Sequence, residues 1–136
     1  MSVGTAAALQ SAIYQHLQAD AGLTALITDR IYDEMPPGPV DGTYVSLGDG
    51  EVRDISDITG GIADHRCVVS VVTDAEGYAQ AKEAAAAVAD ALLSSDLSLA
   101  RGRVVSLSFQ RAKARRVRAG QVRRIDLTFR VIVDDT

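Results

Sequence analysis

Apolar residues recur every fourth position near the start of the chain, a spacing typical of an amphipathic helix. The stripe consists of Leu9, Ile13 and Leu17. It predicts a first helix over residues 6–19, with Thr5 as its N-cap and its end near Gly22. A short second helical turn is predicted over residues 23–28.

A second apolar stripe predicts another main helix over residues 75–93. Its members are Tyr78, Ala81, Ala85, Val88 and Leu92. Residues 73–76, Thr-Asp-Ala-Glu, have the form of a capping box that starts such a helix. Because most of the stripe is alanine, we expect this helix to lie close to the surface on which it packs.

Alternation of apolar and polar residues predicts the strands. They fall at residues 30–33, 43–47, 65–73, 104–110 and 124–133. In the fourth strand, Val105, Leu107 and Phe109 are expected on one face. The order of elements predicts a single α+β domain over residues 1–136, a mostly antiparallel β-sheet with two main α-helices packed on one face.

Two segments between these elements are candidates for contacts with partners. Residues 48–64 are rich in Gly and Asp and predict either a long loop or the tip of an extended hairpin. Its candidate interface residues are Asp49, Glu51, Arg53, Asp54 and Asp57. A turn signal at Ala119 and Gly120 predicts a second hairpin, over about residues 110–124.

Composition narrows the class of protein. The chain has 136 residues, 47% of them hydrophobic, and no apolar run near the roughly 20 residues of a membrane helix. Its start lacks the basic and apolar regions of a signal peptide. A single Cys excludes a disulfide within the chain. These features favour a soluble intracellular domain.

The net charge of −4 conceals a strong asymmetry. Residues 1–100 carry 15 acidic and 4 basic side chains, whereas residues 101–136 carry 3 acidic and 10 basic ones. Seven bases and no acid fall within residues 111–124: Arg111, Lys113, Arg115, Arg116, Arg118, Arg123 and Arg124. Three interpretations stay open: a solvated hairpin tip, a surface that docks on an acidic protein, or a ring of positive charge presented to DNA.

No constellation of residues predicts an enzyme, a cofactor or a metal site. His65 and Cys67 share a strand face, but a zinc site needs two further ligands and a nucleophilic pair needs an orienting group. The acidic segment from Asp49 to Asp57 has Arg53 where a calcium loop needs a ligand. The basic run contains no aromatic residues on which bases could stack.

The chain as a whole resembles a known family. The similarity lies in residues 8–17, 23–27, 30–33, 44–48 and 65–72, followed by a helix and a long closing strand. In order and local sequence these segments resemble the small tail-completion, or tail-terminator, proteins of long-tailed phages and of phage-derived gene transfer agents. The resemblance covers about residues 6–134, and it carries no catalytic or binding residues over to this chain.

The resemblance implies a structural protein, made in the bacterial cytoplasm and placed at the head–tail junction of a virion or phage-like particle. It implies a homo-oligomeric ring, usually a hexamer, that ends the tail tube and meets the head-side connector, a stopper or adaptor protein. DNA would pass through the channel without sequence readout, and no membrane is involved.

Two other functions remain as alternatives: another neck or head-closure component, and a small nucleic-acid-binding module that uses the basic hairpin. For the terminator, we expect the seven bases to lie in protein contacts and not along the narrowest part of the channel. Charge reversal at Arg115 and Arg116 is then expected to block ring formation or tail joining.

Overall fold

A computed structural model of the chain describes residues 2–33, 42–55, 60–117 and 122–135. After a 3₁₀ turn at Ser2–Thr5, the helices are α1 (Ala6–Ala19), α2 (Ala21–Ile27) and α3 (Ala79–Leu93). The strands are β1 (Ile31–Tyr32), β2 (Thr43–Asp54), β3 (Ile62–Thr73), β4 (Arg103–Val117) and β5 (Val122–Asp134). They form one sheet in the order β1-β2-β3-β5-β4, antiparallel except for the β1–β2 pair.

The helices cover one face of this sheet. Alternate residues of β5, from Ile125 to Val133, are buried against Leu9, Ile13 and Leu17 of α1 and the apolar stripe of α3. Ala81, Ala84 and Ala91 are buried in that stripe, so α3 lies close to the strands. The predicted α+β class, with both main helices on one face, is confirmed.

The first helix has the predicted bounds but not the predicted cap. The Thr5 side chain makes no capping hydrogen bond, because its hydroxyl group instead meets Nε2 of His65 at 3.1 Å. The helix ends before Asp20, not near Gly22. Asp20 adopts an extended conformation there, and its Oδ2 accepts a hydrogen bond from the Leu23 amide at the start of α2.

The predicted start of α3 at residue 75 is wrong by four residues. Oγ1 of Thr73 lies 2.8 Å from Oγ1 of Thr43 and accepts the Ala75 amide at 3.1 Å, which holds the chain in a turn. Gly77 then adopts a φ of 80°, a conformation that a helix excludes. The helix therefore begins at Ala79.

The described parts of residues 48–64 extend strands β2 and β3, as the hairpin alternative predicts, and residues 56–59 lie outside the described residues. Strands β2 and β3 pair from Thr43 with Thr73 as far as Asp54 with Ala63, with one irregularity after Leu47. At Gly50 a Cβ atom would lie 2.7 Å from the Arg66 carbonyl oxygen. Glycine at this position therefore permits the close approach that continues the ladder.

Strand β4 departs from simple alternation. Register shifts follow Val104 and Phe109, so Val104 packs against the core while Val105 is 51% exposed. The prediction that Val105 shares a face with Leu107 and Phe109 is therefore wrong. Phe109 stays on the helical side, with its ring 5.8 Å from that of Phe129.

Candidate functional site

The two predicted interface hairpins lie at opposite ends of the sheet. Ile62, where β3 begins, pairs with Asp134 at the end of β5. Thr73, where β3 ends, pairs with Arg123 at the start of β5. Since each residue of a strand advances about 3.3 Å, the ends of the two hairpins are about 40 Å apart.

The hairpin formed by β2 and β3 carries the predicted acidic residues, and we call residues 48–55 of it the acidic arm. Asp49, Glu51, Arg53 and Asp54 lie in β2, and all four are exposed. Asp57 lies outside the described residues. Three carboxylates against one guanidinium give the acidic arm itself a negative charge.

The basic run is divided between the two faces of the sheet. Cross-strand partners in an antiparallel pair point to the same face. Arg111, Lys113 and Arg115 pair with Thr128, Asp126 and Arg124 on the face without helices. Arg116 pairs with Arg123 on the helical face, and Arg118 lies outside the described residues.

Further arginines extend the positive charge of the helix-free face. We call this surface the basic sheet face. Across strands β3, β5 and β4 its cations are Arg66, Arg103, Arg111, Lys113, Arg115, Arg124 and Arg130. Its carboxylates on these strands are only Asp64, Asp126 and Asp134. The face is therefore basic even after its internal ion pairs are counted.

Asp126 forms the centre of one ion-pair cluster on this face. Nε of Arg124 donates to its Oδ1 at 2.7 Å, the Ser70 hydroxyl donates to the same oxygen at 2.7 Å, and Arg115 lies 3.5 Å from Oδ2. Burial raises the pKa of Asp126, but these hydrogen bonds and charges outweigh it and the pKa is lower than usual. The carboxylate stays ionised and anchors the two arginines.

Asp64 forms a second cluster at the other end of the face. The residue is 3% exposed and lies between Nε of Arg66 at 3.2 Å and Nε of Arg130 at 3.0 Å. The Arg66 hydrogen bond is the main reason why the pKa of Asp64 is lowered. Arg66 also donates to Gln110 at 2.8 Å, which joins the cluster to β4.

Arg123 has a structural position on the helical face. Its Nη1 donates to the Ala75 carbonyl oxygen at 3.0 Å, and its guanidinium lies 5.6 Å from the centre of the Tyr78 ring. Arg123 therefore holds the segment that leads into α3. Among the six predicted bases that the structure describes, it is the one whose contacts are mainly internal to the helical layer.

A small cavity lies between α1 and the hairpin of β2 and β3. It has a volume of about 210 Å³ and is lined by Leu9, Ile13, His65 and Cys67 among others. Burial lowers the pKa of His65, and burial raises the pKa of the Cys67 thiol to about 11. A neutral imidazole beside a protonated thiol is not an activated nucleophilic pair.

Metal sites and membrane-spanning helices are both absent from residues 2–33, 42–55, 60–117 and 122–135. No three His, Cys, Asp or Glu residues in these ranges are grouped so that they could hold a metal ion. No helix in the same ranges is long and apolar enough to cross a membrane.

Comparison with known proteins gives a family for the chain and a similar solved structure. The sequence model of the family "Tail completion protein gp17" matches residues 11–134. A chain in the solved structure "Virion of native gene transfer agent (GTA) particle" shares 59% sequence identity, with a TM-score of 0.91. The match covers 98% of this chain and 99% of that one. No curated protein matches the sequence.

Proposed function

The chain belongs to the family of tail completion protein gp17, a structural family of tail assembly, and from this premise we propose that it is a tail terminator. In this proposal six copies form a ring that ends the tail tube and joins it to the head-side connector. The ring lies at the head–tail junction of a phage-like particle. The similar chain in a gene transfer agent virion supports this location.

The arrangement of the two hairpins is the observation that carries the proposal. A terminator must contact the tube on one side and the connector on the other. The acidic arm and the basic end of the β4–β5 hairpin, with Arg115, Arg116, Arg123 and Arg124, lie at opposite ends of one sheet and carry opposite charge. One subunit can therefore present two different surfaces to two different partners.

The distribution of charge also bears on the passage of DNA. A basic lining would hold phosphates, whereas an acidic or neutral one lets DNA slide. Asp64 and Asp126 form ion pairs with four arginines of the basic sheet face, Arg66, Arg130, Arg115 and Arg124. We therefore assign this face to protein contacts, and DNA passes through the ring without sequence readout.

The proposal is tested by the growth of tail tubes. Purified tube protein is polymerised with increasing amounts of the chain, and the length of the tubes is measured by electron microscopy. We expect tubes to shorten, with a gold-labelled chain at one end only. Tubes of unchanged length, with label along the wall or absent, contradict termination.

A matched variant tests the role of the acidic arm. Asp49→Ala combined with Glu51→Ala removes two exposed carboxylates from the arm. Asp29→Ala, at an exposed position after α2, serves as the control. The arm variant is expected to terminate tubes or join connectors less efficiently, while the control acts like the native chain.

A further inference from the structure

The basic sheet face retains cations that nothing in the described chain neutralises. Asp64, Asp126 and Asp134 each pair with arginines nearby. Arg111 and Lys113, in the middle of β4, are exposed, and their side chains make no ion pair or hydrogen bond with any residue that the structure describes. Their charges are available to a partner.

The opposite side of the molecule has the complementary charge. Residues 2–33 and 74–100, which contain the helices and their connections, carry eight carboxylates and two cations, Arg30 and Lys82. Glu83 and Asp90 of α3 are exposed and form no ion pair within the described ranges. The molecule is thus basic on one layer and acidic on the other.

The exposed side of α3 also has the shape for packing on a sheet. Glu83 and Asp90 are seven residues apart, so they lie on the same side of the helix, about 10 Å from each other. Ala79 and Ala86 lie on this side too, and both are exposed. Ala86 lies between the two carboxylates and Ala79 one turn before Glu83, and such small residues allow the helix to come close to a flat surface.

We propose that the basic sheet face of one copy docks on the exposed side of α3 in the next copy. Arg111 and Lys113 then meet Glu83 and Asp90. The contact joins two different patches, so copies add head to tail, and a rotation of about 60° per copy closes six of them into a ring. This inference rests on the proposed ring and names the surfaces that form it.

Charge complementarity is the reason why the occupant is a second copy. Nucleic acid would use the same cations, but it would leave the acidic layer of the molecule without a partner. In a head-to-tail ring both layers are neutralised by the same contact. Exposed ion pairs individually contribute little to binding affinity. The charges therefore fix how the two surfaces align, while the buried area supplies the affinity.

Reciprocal charge reversal tests the docking. One variant carries Arg111→Glu and Lys113→Glu, and a second carries Glu83→Lys and Asp90→Lys. Each variant has one intact face. We expect each alone to assemble at least about tenfold more weakly than the native chain, since attraction becomes repulsion. An equimolar mixture should form rings again in native mass spectrometry, because the two intact faces attract each other and so do the two reversed faces.

A control and a rescue complete the design. Arg116→Glu changes the same charge on the same strand but on the helical face, so ring formation should resemble that of the native chain, and the effect expected at this position is on tail joining. The fourfold variant, with all four charges exchanged, should recover assembly. Circular dichroism and urea unfolding show whether each variant is folded. If one double variant is not folded, recovery of assembly by the fourfold variant still tests the docking.

The outcomes separate this inference from the proposed function. If the native chain forms rings and both double variants form them equally well, the proposed docking is wrong, but the proposed ring is not contradicted. The docking is also wrong, with the ring unaffected, if the mixture of the two double variants remains monomeric. The conclusion is the same if the first variant loses binding to DNA but keeps self-assembly. If the native chain forms no ring either alone or on tube ends, the proposed function itself fails.

Discussion

Arg130 donates a hydrogen bond from Nε to Oδ2 of Asp64 at 3.0 Å, joining residues that are 66 positions apart. Arg66 approaches the other oxygen of the same carboxylate. The contact fastens β3 to β5 on the face of the sheet that has no helices. The ion pairs of this face therefore order the surface that we assign to assembly.

Replacement of Asp64 should destabilise the protein in a pH-dependent way. Asp64→Asn removes a buried charged acceptor, which typically costs about 1–3 kcal/mol in the free energy of unfolding. Folding lowers the pKa of Asp64 from its ordinary value of 3.8, so its stabilisation is present above that pH and lost as the pH falls further. Urea unfolding of both proteins at pH 7 and pH 3 measures the difference.

The expected result is a large difference between the native chain and Asp64→Asn at pH 7 and a smaller one at pH 3. Asp96→Asn, at an exposed position after α3, is the control and should change stability by less than about 0.5 kcal/mol. A difference for Asp64→Asn that stays constant between the two pH values would show that the carboxylate charge is not responsible.

The two phenylalanines that touch across β4 and β5 should contribute very differently to stability. Phe129 is 1% exposed in the core, whereas Phe109 is 43% exposed on the edge strand. Phe129→Ala should lower the free energy of unfolding by about 3–5 kcal/mol because it leaves a cavity. Phe109→Ala should cost about 1 kcal/mol or less. Equal losses in urea unfolding would disagree with the packing described.

His65 should make the protein less stable in mild acid. Burial lowers the pKa of His65, against an opposing effect of the neighbouring Asp64 charge. The unfolded chain takes up a proton near the ordinary pKa of 6.5 while the folded chain does not. Stability should therefore decrease as the pH falls from 7.5 to 5.5, by at most about 1.4 kcal/mol per pH unit.

Two histidine variants test this dependence by urea unfolding. His65→Gln should flatten the decrease between pH 7.5 and pH 5.5, whereas His16→Gln should retain it. His16 contacts the Ala91 carbonyl oxygen between α1 and α3, so it controls for general loss of a histidine contact. If the free energy of unfolding of His65→Gln falls as steeply with pH as that of the native chain, other groups cause the pH dependence.

Cys67 should react slowly with thiol reagents in the folded protein. Burial raises the pKa of its thiol to about 11 from a model-peptide value of 9.0, which lowers the thiolate fraction at pH 8 about a hundredfold. Labelling with Ellman's reagent in buffer should be at least that much slower than in urea. Since the chain has one Cys, Cys67→Ser provides the blank, and equal rates in the two solvents would refute burial.

The sequence predicts those parts of the fold that are governed by burial on one face. The stripe of α1 and the alternation of β5 repeat with regular spacing because each contacts a single apolar layer. The same reasoning fails where the spacing is interrupted. Register shifts in β4 turn Val105 outward, and a single sequence carries no clear signal for them.

The sequence also does not predict which side chains pair when they are far apart along the chain. Thr5 follows the sequence rule for a helix cap, but in the fold its hydroxyl meets His65, which is 60 positions away. Arg130 lies at a polar position of a predicted strand and Asp64 at the end of the predicted loop or hairpin segment, yet only the β3–β5 register brings them together. The basic run is one continuous segment of the sequence, but the sheet divides its residues between two faces.

Electron microscopy of the purified chain, with native mass spectrometry of the same sample, tests the central claim most directly. The account predicts closed rings with a central hole and six times the 14.4 kDa mass of the chain. It also predicts that a ring occupies the end of each terminated tube. A chain that stays monomeric in solution and on tube ends, and that instead binds DNA with strong dependence on salt, would contradict it.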